Sequence, residues 1–93
     1  MESYIEKKIT VIMPTYNSER TIEKSLSSIR SQNYNQEKVE ILVIDGGSTD
    51  KTLDIAKKYN CTVLANEKRL PEFAKEIGLF AATGDFCVFI DSD

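Results

Sequence analysis

The chain contains no histidine and no tryptophan. Without an imidazole, His-based catalytic triads, histidine general bases and the usual Cys/His zinc sites are all excluded. Its two cysteines, Cys61 and Cys87, form no CxxC pair, so neither a redox motif nor a disulfide framework is expected. Each lies in an apolar run, Asn60 through Leu64 and Phe86 through Ile90, where a free thiol is expected to act as a small buried hydrophobe. Glycine and proline are also scarce, at 4 and 2 residues, which excludes collagen-like and low-complexity classes. No apolar stretch approaches the roughly 18 residues of a membrane span, and Met1 through Lys8 are broken by charge where a secretory leader would be apolar. A soluble, cytoplasmic chain is expected, with membrane association left open for a longer protein. Positive charge is in deficit: 12 Lys plus Arg against 15 Asp plus Glu gives −3, so nucleic acid is not an expected partner.

What is present suits one globular domain with a core: 93 residues, 41% hydrophobic and 29% charged. Ile9–Met13, Val39–Ile44, Cys61–Ala65 and Asp85–Ile90 are rich in β-branched and aromatic residues and are predicted as strands. The second and fourth are almost continuously apolar, as in parallel strands covered on both faces. Between them lie helical patterns. Ile22, Leu26 and Ile29 share a face behind the capping candidates Asn17 and Ser18, and Leu53, Ala56 and Tyr59 follow the candidates Ser48, Thr49 and Asp50. Phe73, Ala74, Ile77, Phe80 and Ala81 form a stripe, with Pro71 in the first turn and Gly84 as a stop. The order β-α-β-α-β-α-β predicts an α/β fold, a Rossmann-like parallel sheet with right-handed crossovers. Ligands of such sheets bind beyond the carboxyl ends of the strands, where the strand order reverses.

Polar segments stand at those ends. Pro14-Thr15-Tyr16-Asn17 follows the first strand, Asp45-Gly46-Gly47-Ser48-Thr49-Asp50 the second, and Asp91-Ser92-Asp93 the fourth. Tyr16 offers an aromatic face on which a base can stack, and a carboxylate such as Asp45 can accept a hydrogen bond from an imide N3–H. The glycines after Asp45 let backbone approach a ligand closely. Asp91 and Asp93 on alternate residues can hold a hard divalent cation that also binds a diphosphate. Taken singly, each has a plainer reading: a capped βα turn, a ring on the surface or in the core, a chance DxD.

Together these segments, with Ala82-Thr83-Gly84-Asp85 leading into the last strand, resemble the family 2 glycosyltransferases of the GT-A fold, over Ile9 to Asp93. The resemblance implies transfer of a sugar from a nucleoside diphosphate sugar, with UDP the expected nucleotide and inversion the expected outcome, dependent on manganese or magnesium. The expected donor-binding residues are Pro14, Thr15, Tyr16, Asn17, Asp45, Gly47, Ser48, Lys75 and Asp91. Asp93, with Asp91, is the expected metal ligand. A tyrosine and one carboxylate do not by themselves distinguish uracil from guanine or thymine.

Two departures from the family pattern stand out. Phe73-Ala74-Lys75-Glu76-Ile77-Gly78 falls where Ala-Arg-Asn is common, so Lys75 keeps a positive charge without the planar fork of arginine. Glu76 replaces an amide, and near a diphosphate it repels unless it turns away or pairs with a lysine. Gly46 stands where many members carry a second aspartate, so that carboxylate's contacts are absent. Lys68 and Arg69, upstream in a loop, offer compensating charge.

The family's catalytic base and acceptor-binding half lie later in sequence than Asp93. Residues 1–93 are therefore expected to be the donor-binding part of one domain completed by a C-terminal half, acting on a glycan, lipid or protein acceptor. The alternative is a non-catalytic nucleotide-binding or regulatory module. A sugar nucleotidyltransferase wants a glycine-rich loop after the first strand, and a phosphoacceptor receiver domain wants an acidic pair there; this chain has neither.

Overall fold

The computed structural model describes residues 7–92, leaving Asp93 outside. Four strands, β1 (Ile9–Thr15), β2 (Val39–Asp45), β3 (Thr62–Ala65) and β4 (Phe86–Phe89), alternate with the helices α1 (Ile22–Arg30), α2 (Thr52–Lys58) and α3 (Pro71–Ala81). The sheet is wholly parallel with the order β3-β2-β1-β4, as the alternation predicts. The first two crossovers step outward from β1, whereas the third returns across β2 and β1 to place β4 on the far side. Right-handed connections in opposite directions put their helices on opposite faces.

The core accordingly has two layers. Val11, Met13, Ile41 and Val43 meet Ile22 and Leu26 of α1 and Ala56 of α2, while Ile12, Leu42 and Ile44 meet Ala74 of α3. Alternation along β1 and β2 sends successive residues to opposite layers.

Several boundaries differ from expectation for local reasons. β1 runs two residues past Met13, through Pro14 and Thr15, in register with Ile44 and Asp45. Pro14 is tolerated because the ladder with β4 ends at Ile12, so no hydrogen bond is lost there. Asn17 and Ser18 do not cap α1 with their side chains: Asn17 takes a left-handed φ of 47°, and α1 begins at Ile22. None of the three candidates before α2 stands at its N-cap, which is Lys51 without a side-chain cap bond, although Asp50 Oδ1 one residue earlier accepts from Thr52 N at 2.9 Å. Gly84 is not the stop of α3, which ends at Ala81. Gly84 N instead donates to Thr10 Oγ1 at 2.9 Å, and a Cβ there would lie 2.8 Å from Thr10 N.

Three burial expectations fail. Phe80 is 96% exposed; the face of α3 that meets the sheet carries Ala74 and Gly78, and a Cβ on Gly78 would lie 2.4 Å from Ile12 Cγ2. Close approach of helix to strand leaves room for small residues only. β4, expected to be covered on both faces, is exposed at all four positions, because it is an edge strand and the helices pack over β1 and β2. Cys87 is exposed with it, whereas Cys61 is half-buried, and burial pushes its thiol up to about 11, against the opposing charge of Arg30.

Candidate functional site

The carboxyl ends of β1 and β2 are joined through Asp45. Its side chain is buried, yet it accepts four hydrogen bonds: Oδ1 from Thr15 Oγ1 at 2.7 Å and Ser48 Oγ at 2.6 Å, and Oδ2 from Gly47 N at 2.9 Å and Ser48 N at 2.7 Å. Burial alone would raise this carboxyl's pKa, but the hydrogen bonds from Ser48, Thr15 and Gly47 outweigh it and hold the pKa below the ordinary value. Gly47 has φ +100°, a left-handed conformation, and this turn lets its N–H face back to the carboxylate.

The loop after β1 is tied to the same turn. Asn17 N donates to Ser48 Oγ at 2.8 Å, and Asn17 Oδ1 accepts from Thr49 N at 2.8 Å. Ser18 N donates to Thr52 Oγ1 at 2.8 Å, and its hydroxyl lies 2.9 Å from that of Ser92. Ser25 of α1 reaches the Ser92 carbonyl at 3.4 Å. Hydrogen bonds from Asp45 to Ser48 and from Ser48 to Asn17, and from the adjoining Ser18 to Ser92, therefore tie Asp45 to the centre of the Asp91-Ser92-Asp93 segment through the Asn17–Ser18 backbone. Ser92 is buried and Asp91 beside it is exposed; Asp93 lies outside the described residues.

Tyr16, half exposed, borders a cleft with Pro14, Thr15, Gly46 and Pro71. A second cleft, of about 510 Å³, is lined by Asp45, Gly47, Ser48 and Leu53. Gly46, Asn66 and Arg69 line both. Arg69, at φ 59°, lies over Gly46 with its guanidinium carbon 5.2 Å from the Tyr16 ring centroid. A Cβ at Gly46 would meet Arg69 at ordinary van der Waals distance, 3.6 Å from its Cα.

Lys75 stands apart from this groove, its ammonium 5.7 Å from the Phe89 ring centroid on the β4 side, toward the strand end that leads to Asp91. Glu76 is exposed, and its position about 200° around α3 from Ala74 turns it away from the sheet. Lys68 holds its ammonium 4.7 Å from the Phe73 ring centroid. The site residue that sequence reasoning missed is Asn66. Its position at a strand end was the available signal, but no local pattern singles it out. A separate cleft of about 630 Å³ between α1 and β4 brings apolar side chains such as Ile9, Val11, Val88 and Ile90 together with Ser25, Gln32, Gln36 and Asp91.

Residues 10–93, nearly the whole chain, match the profile of glycosyl transferase family 2. The chain belongs to that family. Among the relatives of this family 2 chain is a Methanococcus voltae dolichyl N-acetyl-alpha-D-glucosaminyl phosphate 3-beta-D-2,3-diacetamido-2,3-dideoxy-beta-D-glucuronosyltransferase, 41% identical over 86% of this chain and 27% of the relative. Staphylococcus aureus TarS, a poly(ribitol-phosphate) beta-N-acetylglucosaminyltransferase whose structure has been solved in complex with UDP, superposes with a TM-score of 0.86 at 39% identity, covering 92% of this chain and 27% of that one. A mannosyltransferase from Pyrobaculum calidifontis, solved in complex with GDP-Man and Mn2+, gives 0.85 at 32% identity, covering 96% and 28%. The family 2 chain thus spans 28% or less of each of these relatives. These structures establish its fold as GT-A.

Proposed function

We propose that the full protein transfers a sugar from a nucleoside diphosphate sugar, with UDP as the nucleotide, to a glycan, lipid or protein acceptor with inversion, and that this chain supplies the donor and metal side of the site. The observation that carries the reading is the path from Asp45 to Ser92, made of hydrogen bonds and the Asn17–Ser18 backbone, which ties the ends of β1, β2 and β4 into one surface. In this reading Tyr16 stacks on the base, and Pro14, Thr15, Asn17, Asp45, Gly47 and Ser48 shape the base and ribose pocket. Asp91 and Lys75 face the diphosphate and sugar. The solved complexes of relatives with UDP and with GDP-Man support a nucleotide-bearing donor.

The acidic DxD oxygens suit a hard cation such as Mg²⁺ or Mn²⁺. In this reading Asp93 and Asp91 would hold the cation from this chain, with the diphosphate as its other partner. When bound, such a cation offsets negative charge on the departing diphosphate. Inversion also requires a base on the acceptor hydroxyl, which this reading places after Asp93, in the C-terminal half of the same domain.

The test is nucleoside diphosphate release by the full-length protein from a panel of UDP- and GDP-sugars with candidate acceptors. Metal-dependent release from a UDP-sugar, reduced on the order of a hundredfold or more by Asp93→Ala, is the expected result. UDP binding with no turnover of any donor would favour the non-catalytic module.

A further inference from the structure

Asp45 is the obvious acceptor for a base imide, yet its four lone-pair positions are filled by Thr15, Gly47 and Ser48. Gly46, next in sequence, brings no acceptor side chain. Asn66 is 5% exposed, and its Oδ1 is buried with no hydrogen-bond partner among the described residues. Its orientation is fixed, because Nδ2 donates to the Leu70 carbonyl at 3.0 Å and the backbone N–H donates to the Asp45 carbonyl at 2.7 Å. Oδ1 is thus held rigidly as a spare acceptor in the residue that borders both clefts of the groove. A buried acceptor left unpaired is costly, so a ligand N–H placed against it gains more than the same bond made in water.

We propose that Asn66 is a specificity-determining residue that reads the base, its Oδ1 accepting the ring N–H of an oxo-imide base such as uracil. The inference rests on the donor-binding reading above. Asp45 then builds the pocket, and Asn66 reads its occupant. Since Oδ1 is closed to solvent, the base reaches it when the Arg69 side chain swings off Gly46 and Tyr16. Of the residues common to both clefts, Arg69 has the long flexible side chain that can move.

The experiment titrates the full-length protein and its Asn66→Ala and Asn66→Asp variants with UDP, GDP and N3-methyl-UDP, the last lacking the imide proton. Wild-type protein is expected to bind N3-methyl-UDP about tenfold or more weaker than UDP. Asn66→Ala should lose about that factor for UDP and discriminate little between the two ligands. Asn66→Asp, which keeps the acceptor but not the bond to Leu70, should retain discrimination; a purely structural role would make both variants behave alike. In wild-type protein, the Asn66 side-chain carbonyl ¹³C resonance should move with UDP and not with N3-methyl-UDP, a readout that survives if a variant fails to fold. UDP binding that ignores N3-methylation, or full discrimination in Asn66→Ala, overturns the role of Asn66 alone. Failure of wild-type protein to bind either UDP or GDP overturns the donor reading as well.

Discussion

At the scale of single residues, the chemistry of Asp45 decides how the turn after β2 holds. Asp45→Ala strands two backbone N–H groups and two hydroxyls that now donate to it, and should cost about 3 kcal/mol in denaturant unfolding. Asp45→Asn should cost less, about 1 kcal/mol, since its oxygen can serve Gly47 and Ser48 N–H while the Thr15 and Ser48 hydroxyls rotate to accept. The carboxyl's pKa is lowered on folding. Its contribution is therefore complete above the ordinary aspartate value of about 4 and is lost as pH falls through the lower folded value. Urea midpoints should decline less steeply through that acid window in Asp45→Asn than in wild type. Glu40 adds a parallel dependence: burial opposes ionisation, but hydrogen bonds from Thr10 and Thr83 and the charge of Lys8 lower its pKa overall. Asp45, Gly47 and Ser48 were legible in sequence because a turn chemistry specifies them locally. Asn66 was not, because its significance depends on the partners its two amide atoms find in the fold.

The strands and helices themselves were legible, since period and punctuation are local; their packing partners were less so. Small residues carry the contact of α3 with the sheet, which a reading keyed to bulky side chains assigns to Phe80. Gly78→Ala tests this. Alanine improves helix propensity by about 1 kcal/mol, but its methyl would meet the fully buried Ile12 at 2.4 Å. Overpacking costs roughly 1 to 3 kcal/mol, so a lower thermal midpoint is expected despite the propensity gain. A rise would show that α3 rides higher on the sheet. The exposure of β4 escaped the sequence for a related reason, because an apolar run reports that a strand is coverable and not that it is covered.

Over the whole molecule, the hydrogen-bonded strand ends form one organised edge and β4 forms another, with Phe86, Val88 and Phe89 each more than 40% exposed and, among the described residues, paired on the β1 side alone. An unpaired apolar edge is a template for association. Residues 1–93 produced by themselves should self-associate in sedimentation, and Val88→Lys should shift them toward monomer; a wild-type chain that stays monomeric at high concentration would show that the edge is protected. At the other edge, calorimetric titration of the full-length protein with UDP, with and without Mn²⁺ and with GDP for comparison, decides whether a nucleotide binds there. The account predicts UDP binding that strengthens with Mn²⁺, loses that gain in Asp93→Ala and exceeds binding of GDP. Absence of binding of either nucleotide by the folded protein would contradict it.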